Sequence, residues 1–463
     1  MTRPEPTIAD TLSQFAAGLD YDAVPETVRE AASLHLLDAI GVAYASASFE
    51  FARRTLAGLA DFGAGEYEVI GMSPRLALRD AVLMNGILIH GLDFDDTAIF
   101  GRVHPSSFLV PCVLGMGAFA KASGKEALAA YIAGTECAIR IGAAARGGFQ
   151  RAGFHPTGVV AAFGCAIAAG RLLRLDPGQL TMAQGIVYST AAGNNEFTAN
   201  DAWTKRMHAG WAGVGGITAA MLARRGFVGP RTAYEGKFGL YRTYLGAGAA
   251  NCDLREATAE LGERWEIERV AFKPMASCHF NHPIIDATIA LVTEHALAPA
   301  DIRGIRAFLP EAALQTVCEP KAAKRAPTDI YGAQFSVYYA AASAAVHRRY
   351  ALEDLDPPAP NDPAVLELAA RVDYAVDPDS NFPRHYSGAV EIHTRDGRRL
   401  FRREDVNRGS SERPMTRAEI LDKFLANAQR RIPRVRAEAV RDAVLGVARV
   451  ADLQSMTREL AVS

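Results

Sequence analysis

The sequence predicts a mainly α protein, with a large all-helical domain and a smaller α+β domain. Apolar residues recur at helical spacing in consecutive segments from residue 8 to about residue 250. Short alternating runs begin near residue 263, and amphipathic helices return over 414–448. We therefore expect residues 1–262 and 408–463 to form the helical domain and residues 263–407 to form an inserted α+β domain.

The predicted helices of the first half are rich in small residues. Segments 125–145, 157–173 and 177–194 contain many alanines and glycines at helical spacing. Small residues along a helix let neighbouring backbones approach closely, so these segments predict a tightly packed helical core.

Five short alternating runs predict strands in the α+β domain. They are RWEIERVAFK (264–273), DIRGIRAFLP (301–310), RVDYAVDP (371–378), GAVEIHT (388–394) and RRLFRRE (398–404). Helical spacing places further helices between them, at 283–296, 329–346 and 363–371.

Charge and composition limit the class of partner. The 463 residues contain 50 basic and 52 acidic side chains, so bulk charge favours neither nucleic acid nor an anionic membrane surface. We see no secretory signal in MTRPEPTIADTLSQF and no apolar run of membrane-spanning length. Six widely spaced cysteines are typical of reduced thiols, and we expect a cytoplasmic protein.

Titratable side chains concentrate in GLDFDDTAIFGRVHPSS, residues 91–107, between two apolar helical segments. Three interpretations stay open from the residues alone. The aspartates solvate a helix end, they bind magnesium, or they join His104 in acid–base chemistry without a metal. The chain has no second acidic motif and no basic cluster of diphosphate size, which weakens the magnesium interpretation, and we expect no metal.

Within this stretch, His90, Asp93 and Thr97 share one face only if the preceding helix continues through Gly91. A break at Gly91 is equally consistent with the sequence. We expect the other two acids, Asp95 and Asp96, to shape or solvate the loop rather than contact a substrate.

Three His-Pro pairs open predicted helices: His104-Pro105, His155-Pro156 and His282-Pro283. Proline favours the first helical position, so each histidine lies at or next to a helix N-cap. The helix dipole disfavours imidazolium there, and a neutral histidine can accept or donate a proton near pH 7.

Other candidates lie downstream. Lys205, Arg206 and His208 precede a small-residue helix and form either a solvated basic face or a clamp for a carboxylate. His279 and His282 lack further partners at zinc-binding spacing. Of Tyr338 and Tyr339, only one can face a given cleft.

Six motifs in order resemble the MmgE/PrpD family, over about residues 8–450. They are HGLDFDDT…VHPSS, GFHPTGV, TKRMHAGWA, EGKFGLYR, CHFNHPIIDA and AQFSVYYA. The family includes 2-methylcitrate dehydratase, cis-aconitate decarboxylase and iminodisuccinate epimerase. The resemblance implies a helical domain with an α+β lid, usually as a homodimer, and a cleft that works without a cofactor.

The resemblance also implies the site residues. The matching catalytic positions are Asp93, Thr97, His104, His155, Lys205, His282 and Tyr339. Substrate-binding positions are Lys205, His208, His279 and His155. Where relatives often have Arg-Tyr-Thr before the last histidine, this chain has His279-Phe280-Asn281, so its carboxylate contacts differ.

The implied reaction is proton removal next to a carboxylate, or its equivalent by loss of CO2. Lys205 and His155 would hold carboxylates, Asp93 or His104 would act as base or acid, and Thr97 would orient a group by a hydrogen bond. His282 and Tyr339 would complete the site from the lid. We expect a dehydratase or hydratase of a 2-methylcitrate-like di- or tricarboxylate. Decarboxylation of a cis-aconitate-like acid and epimerisation of a dicarboxylate such as iminodisuccinate are the alternatives, and a non-enzymatic binding module is the rival class.

Overall fold

A computed structural model describes residues 5–199, 202–356 and 360–462, and it confirms the predicted fold class. The predicted helical domain (1–262 and 408–463) and the predicted α+β domain (263–407) include residues 1–4, 200–201, 357–359 and 463, which lie outside the described ranges. The helices of the described ranges are α1 Ile8–Gly18, α2 Glu26–Ser46, α3 Glu50–Ala60, α4 Leu78–His90, α5 Pro105–Ala120, α6 Gly124–Ala144, α7 Gly148–Arg151, α8 Pro156–Leu172, α9 Pro177–Tyr188, α10 Thr204–Arg224, α11 Leu240–Leu245, α12 His282–Glu294, α13 Lys321–Arg325, α14 Ile330–Gln334, α15 Val337–His347, α16 Pro363–Ala369, α17 Arg417–Ala428, α18 Arg434–Leu445 and α19 Leu453–Arg458.

The core of the helical domain is built around α8, which packs against α6, α9 and α10. Small residues make this packing close. A Cβ added at Gly216 of α10 would lie 2.4 Å from the Cβ of Cys165 in α8. Helix α6 is long and apolar enough to cross a membrane by composition, but 94% of its apolar window is buried inside the fold.

The α+β part contains one sheet in the order β2-β1-β3-β4. Its strands are β1 Ile302–Leu309, β2 Val372–Val376, β3 Gly388–Thr394 and β4 Arg399–Glu404. Strand β1 pairs parallel with β2 and antiparallel with β3. Helix α12 packs against β3 and β4, and α15 packs against α12.

The strand predicted over 264–273 is wrong. Residues Glu266–Arg269 form a 3-10 helix, and Ala271 makes an isolated bridge with Thr97. The buried carboxylate of Glu136 accepts hydrogen bonds from the backbone N–H groups of Glu266 and Ile267, at 3.0 and 2.9 Å. These backbone groups are therefore tied to α6 rather than to a strand.

The C-terminal helices pack on the helical half of the chain: α17 and α18 contact α2, and α19 contacts α5. Lys423 of α17 is buried and pairs with Asp38 of α2, with Nζ 2.8 Å from Oδ1. Its ammonium also donates to the carbonyl of Phe94, at 2.9 Å. This contact anchors the loop after α4, which carries the aspartates.

Helices α4 and α10 meet through two glycines, Gly86 and Gly210. A Cβ at Gly210 would lie 2.3 Å from the carbonyl oxygen of Leu83. The backbones are therefore in direct contact. Because α4 ends at His90 and α10 begins at Thr204, this contact sets the distance between the aspartate loop and Lys205.

We predict that Gly210→Ala lowers the free energy of unfolding by about 1–3 kcal/mol, since the added methyl forces the helices apart. The matched control is Gly58→Ala in α3, where nothing lies within 4 Å of an added Cβ. That change should instead stabilise by up to about 1 kcal/mol, through helix propensity. Chemical denaturation of both variants checks this, and equal stabilisation of the two would contradict the close contact.

Candidate active site

A cleft of about 520 Å³ lies where the aspartate loop, the start of α10 and the segment before α12 meet. It is lined by six of the residues that the sequence singled out: Asp93, Thr97, His104, His155, Lys205 and His279. The structure thus brings together side chains from both halves of the chain. Their chemical roles stay predictions.

The loop that carries Asp93 begins where α4 ends, at His90, with Gly91 as its C-cap. The helix therefore does not continue through Gly91. Asp93 has a φ of 48°, a left-handed conformation that few non-glycine residues adopt and that is often found at functional sites. Arg206 holds this turn by donating to the carbonyl of Gly91, at 2.8 Å, and Gln334 donates to the carbonyl of Leu92.

Asp93 is the counter-ion of two buried lysines. Lys205 donates to its Oδ1, and Lys273 lies with Nζ 3.2 Å from its Oδ2. Lys273 also donates to the backbone carbonyl of Asp93, at 2.8 Å. Burial alone would raise the pKa of Asp93, but the two ammonium groups outweigh it and hold that pKa well below its usual value. The carboxylate is therefore ionised at neutral pH.

Asp95 and Asp96 shape the loop but do not solvate it, because both are buried. Asp96 accepts from the N–H and hydroxyl of Ser106, at 3.0 and 2.6 Å, and lies 2.9 Å from Nδ1 of His35. Asp95 accepts from His90 at 2.8 Å, and burial raises its pKa to about 6. Neither lines the cleft.

The tautomer of His104 follows from its partners. Its Nδ1 lies 2.8 Å from the backbone carbonyl oxygen of Asp96, which can only accept, so Nδ1 carries the proton. In the neutral ring, Nε2 is then the basic nitrogen. Burial lowers the pKa of His104 to about 3, despite the opposing effect of Asp95. His104 is therefore a neutral base in the unliganded cleft.

His155 and His208 form a second imidazole pair, with their Nδ1 atoms 3.0 Å apart. Burial lowers the pKa of His155 well below its usual value and that of His208 to about 4. With both rings neutral, one Nδ1 donates and the other accepts. His208 therefore supports His155 from behind the cleft wall and does not itself line the cleft.

Besides His208, two predicted site residues lie away from the cleft wall. Tyr339 is buried in α15, and its hydroxyl donates to the carbonyl of Asp354, at 3.2 Å. His282 is buried in the first turn of α12, where Nε2 donates to the carbonyl of Ser277, at 3.1 Å. The hydroxyl of Tyr339 and Nε2 of His282 thus bond to the protein backbone, and neither residue lines the cleft in this conformation.

The sequence did not anticipate the other cleft residues, among them Lys273, Cys278 and Tyr386. Lys273 lay inside the segment misassigned as a strand, and its contact with Asp93 joins residues 180 positions apart. Tyr386 follows an irregular segment without a motif. Its ring stacks on His279, with centroids 4.3 Å apart.

Among the described residues, one group could hold a metal: His90, Asp95 and His104, whose donor atoms lie within 4.8 Å of one another. Both histidine Nδ1 atoms, however, already have acceptors, namely Asp95 for His90 and the Asp96 carbonyl for His104. These two Nδ1 atoms are thus used within the protein, whereas Nε2 of His90 and Oδ1 of Asp95 are buried without a hydrogen-bond partner among the described residues.

Comparisons with known proteins identify the family of the chain. The MmgE/PrpD N-terminal domain matches residues 10–252 and the MmgE/PrpD C-terminal domain matches residues 275–448. The cis-aconitate decarboxylase of Mus musculus is 26% identical, over 98% of this chain and 93% of its own length. That of Aspergillus terreus is 26% identical over 97% and 95%, and the cis-aconitate decarboxylase-like protein oryM of Aspergillus oryzae is 24% identical over 98% and 97%. The chain therefore belongs to the MmgE/PrpD family.

Proposed function

We propose that the protein is a lyase that decarboxylates a cis-aconitate-like tricarboxylate without a metal. The sequence alone favoured dehydration of a 2-methylcitrate-like acid, with decarboxylation as the alternative. The relatives support the alternative better, since they are named cis-aconitate decarboxylases. Their identities of 24–29% leave the substrate itself a proposal.

The excess of positive charge in the cleft is the observation that carries this proposal. Four basic side chains line it, Arg102, Arg151, Lys205 and Lys273, against two acidic ones, Asp93 and Glu311. A low-dielectric cleft strengthens the attraction between such cations and the carboxylates of a ligand. A substrate with two or three carboxylates therefore matches the cleft better than a neutral one.

The reaction needs an electron sink and a proton donor. When the CH2–COO⁻ bond of the substrate breaks, CO2 leaves and the bonding pair moves through the neighbouring C=C bond to its far carbon. The carboxylate on that carbon accepts the negative charge, and Lys205 and Lys273 stabilise it. A proton then adds to the same carbon, which completes the product.

His104 is the candidate proton donor. In the free cleft it is neutral, but a bound polyanion raises the proton affinity of a nearby imidazole. His104 then takes a proton from solvent on Nε2 and delivers it to carbon. Nε2 of neutral His104 is basic and can equally abstract a proton next to a carboxylate. Dehydration is therefore the second candidate reaction.

Product analysis by NMR in D2O distinguishes these reactions. We expect cis-aconitate to lose CO2 and to gain one deuterium at the carbon that receives the electron pair. Citrate, 2-methylcitrate and iminodisuccinate should persist unchanged. A new alkene from either hydroxy acid, with cis-aconitate intact, would instead establish a dehydratase, and deuterium exchange into iminodisuccinate would establish an epimerase.

Two lysine variants test whether the cleft is responsible for turnover. Lys205→Met should lower kcat/KM by roughly a hundredfold or more, as expected for loss of a charge that stabilises the intermediate. The matched control is Lys125→Met, which removes an exposed pair with Asp22 and should stay within about twofold of wild type. Undiminished turnover in Lys205→Met would contradict the proposed site.

The protonation state of His104 gives a pH prediction. Because its pKa is lowered to about 3, its ring should stay a neutral Nδ1–H tautomer from pH 8 to pH 5 in the free protein. As pH falls, the His104 ring of the unfolded chain binds a proton near pH 6.5, whereas the ring in the folded protein stays neutral. His104 therefore lowers the free energy of unfolding as pH falls below about 6.5. Nitrogen-15 NMR of the histidine rings, with His104→Gln for assignment, checks this. A His104 ring that titrates near pH 6.5 would contradict it.

A further inference from the structure

His279 lies at the wall of the cleft and is oriented by a residue far away in sequence, Asn407. The backbone N–H of Tyr386 donates to Oδ1 of Asn407, at 3.2 Å. A backbone N–H can only donate, so this bond fixes which end of the Asn407 amide is oxygen. The other end, Nδ2, lies 2.8 Å from Nε2 of His279.

This chain of hydrogen bonds determines the tautomer of His279. Since Nδ2 of Asn407 can only donate, Nε2 of His279 must accept and carries no proton. The single proton of the neutral ring is therefore on Nδ1. That Nδ1 is buried and has no partner among the described residues, although the ring lines the cleft. An unpaired buried donor is costly, and a ligand oxygen would satisfy it.

The surroundings keep the ring neutral. The ring of His282 lies with its centroid 4.6 Å from that of His279, and the ring of Tyr386 stacks on His279 at 4.3 Å. Burial, followed by His282, then Lys273 and His104, lowers the pKa of His279 well below its usual value, and Asp93 opposes this only weakly.

We propose that His279 is a specificity-determining residue that donates a hydrogen bond from Nδ1–H to a carboxylate oxygen of the substrate, and that Asn407 is the positioning residue that enforces this tautomer. The proposal rests on the proposed function, because it takes the ligand to be a polycarboxylate. It adds a neutral, directional donor to the charged contacts of Lys205 and Lys273. Because a neutral donor adds no charge to the cleft, it selects for the position of a carboxylate on the substrate. The charged lysines select for the number of carboxylates.

The change Asn407→Asp tests the positioning role with almost no change of shape. A carboxylate at 407 still accepts from Tyr386, but it now also requires a proton on Nε2 of His279. At low pH the ring becomes imidazolium and keeps Nδ1–H. At high pH the one remaining proton stays on Nε2, so Nδ1 becomes an acceptor and repels a substrate oxygen.

The experiment measures binding of propane-1,2,3-tricarboxylate, an unreactive probe, by calorimetry from pH 6 to pH 8.5. We expect His279→Phe, which keeps the stack on Tyr386, to weaken binding by roughly 10- to 100-fold at every pH. For Asn407→Asp, the ratio of its Kd to that of wild type should rise with pH. Nitrogen-15 NMR should show His279 as Nδ1–H in wild type and as Nε2–H in Asn407→Asp at pH 8.5.

Asn85→Asp is the matched control. Asn85 is also buried, accepts from a backbone N–H (Ile70, 2.9 Å) and donates to a backbone carbonyl (Glu68, 3.0 Å), but it is outside the cleft. Its effect on probe binding should be within about twofold and independent of pH, and thermal melting reports whether each variant is folded.

Two results would overturn the proposal: a wild-type His279 protonated on Nε2, or His279→Phe binding the probe as wild type does. If wild type fails to bind the probe at all, the proposed function is contradicted together with the carboxylate contact. The NMR result still decides the tautomer and the role of Asn407 separately, so the two failures are distinguishable.

Discussion

The ion pair of Asp93 with Lys205 and Lys273 is the contact on which the rest of the site depends. It joins three separate parts of the chain: the loop after α4, the first turn of α10 and the segment that leads to α12. All three side chains are buried, so removing Asp93 leaves two buried ammonium groups without their counter-ion, at a cost of about 3–5 kcal/mol. The left-handed backbone at Asp93 shows that the fold holds this carboxylate against a local preference.

Neutral histidines surround this charged centre. Burial lowers the pKa values of His90, His104, His155 and His279, and the lysines lower them further. The imidazoles therefore act through their lone pairs and N–H groups, and the lysines supply the fixed positive charge. This division separates proton transfer and orientation from charge stabilisation, and it suits the decarboxylation that we propose.

Periodicity predicted the four strands of the sheet and the long helices, but it gave one helix over 329–346, where the chain forms α14 and α15. It failed at 264–273, where an alternating run is held by Glu136 and forms no strand. The His-Pro pairs located His104 and His155, since proline fixes where a helix begins. Lys273 and Asn407 could not be found in this way, because their roles depend on contacts with residues more than a hundred positions away.

The resemblance to a family located six of the residues that line the cleft, but it did not predict how side chains are oriented. Tyr339 and His282 match family motifs, yet here both donate to backbone carbonyls. Tyr386 and His279 line the cleft instead. Motif matching identifies residue types in order along the chain, whereas the direction of a side chain is decided by packing.

The most direct test of the central ion pair is the affinity of Asp93→Asn for propane-1,2,3-tricarboxylate, measured by calorimetry against wild type. If Asp93 serves as the counter-ion of Lys205 and Lys273, its neutralisation leaves two buried cations that a carboxylate of the probe can pair with. The account predicts that the variant binds the probe at least as tightly as wild type and is stabilised more by it against thermal unfolding. A folded variant that no longer binds the probe would contradict the account.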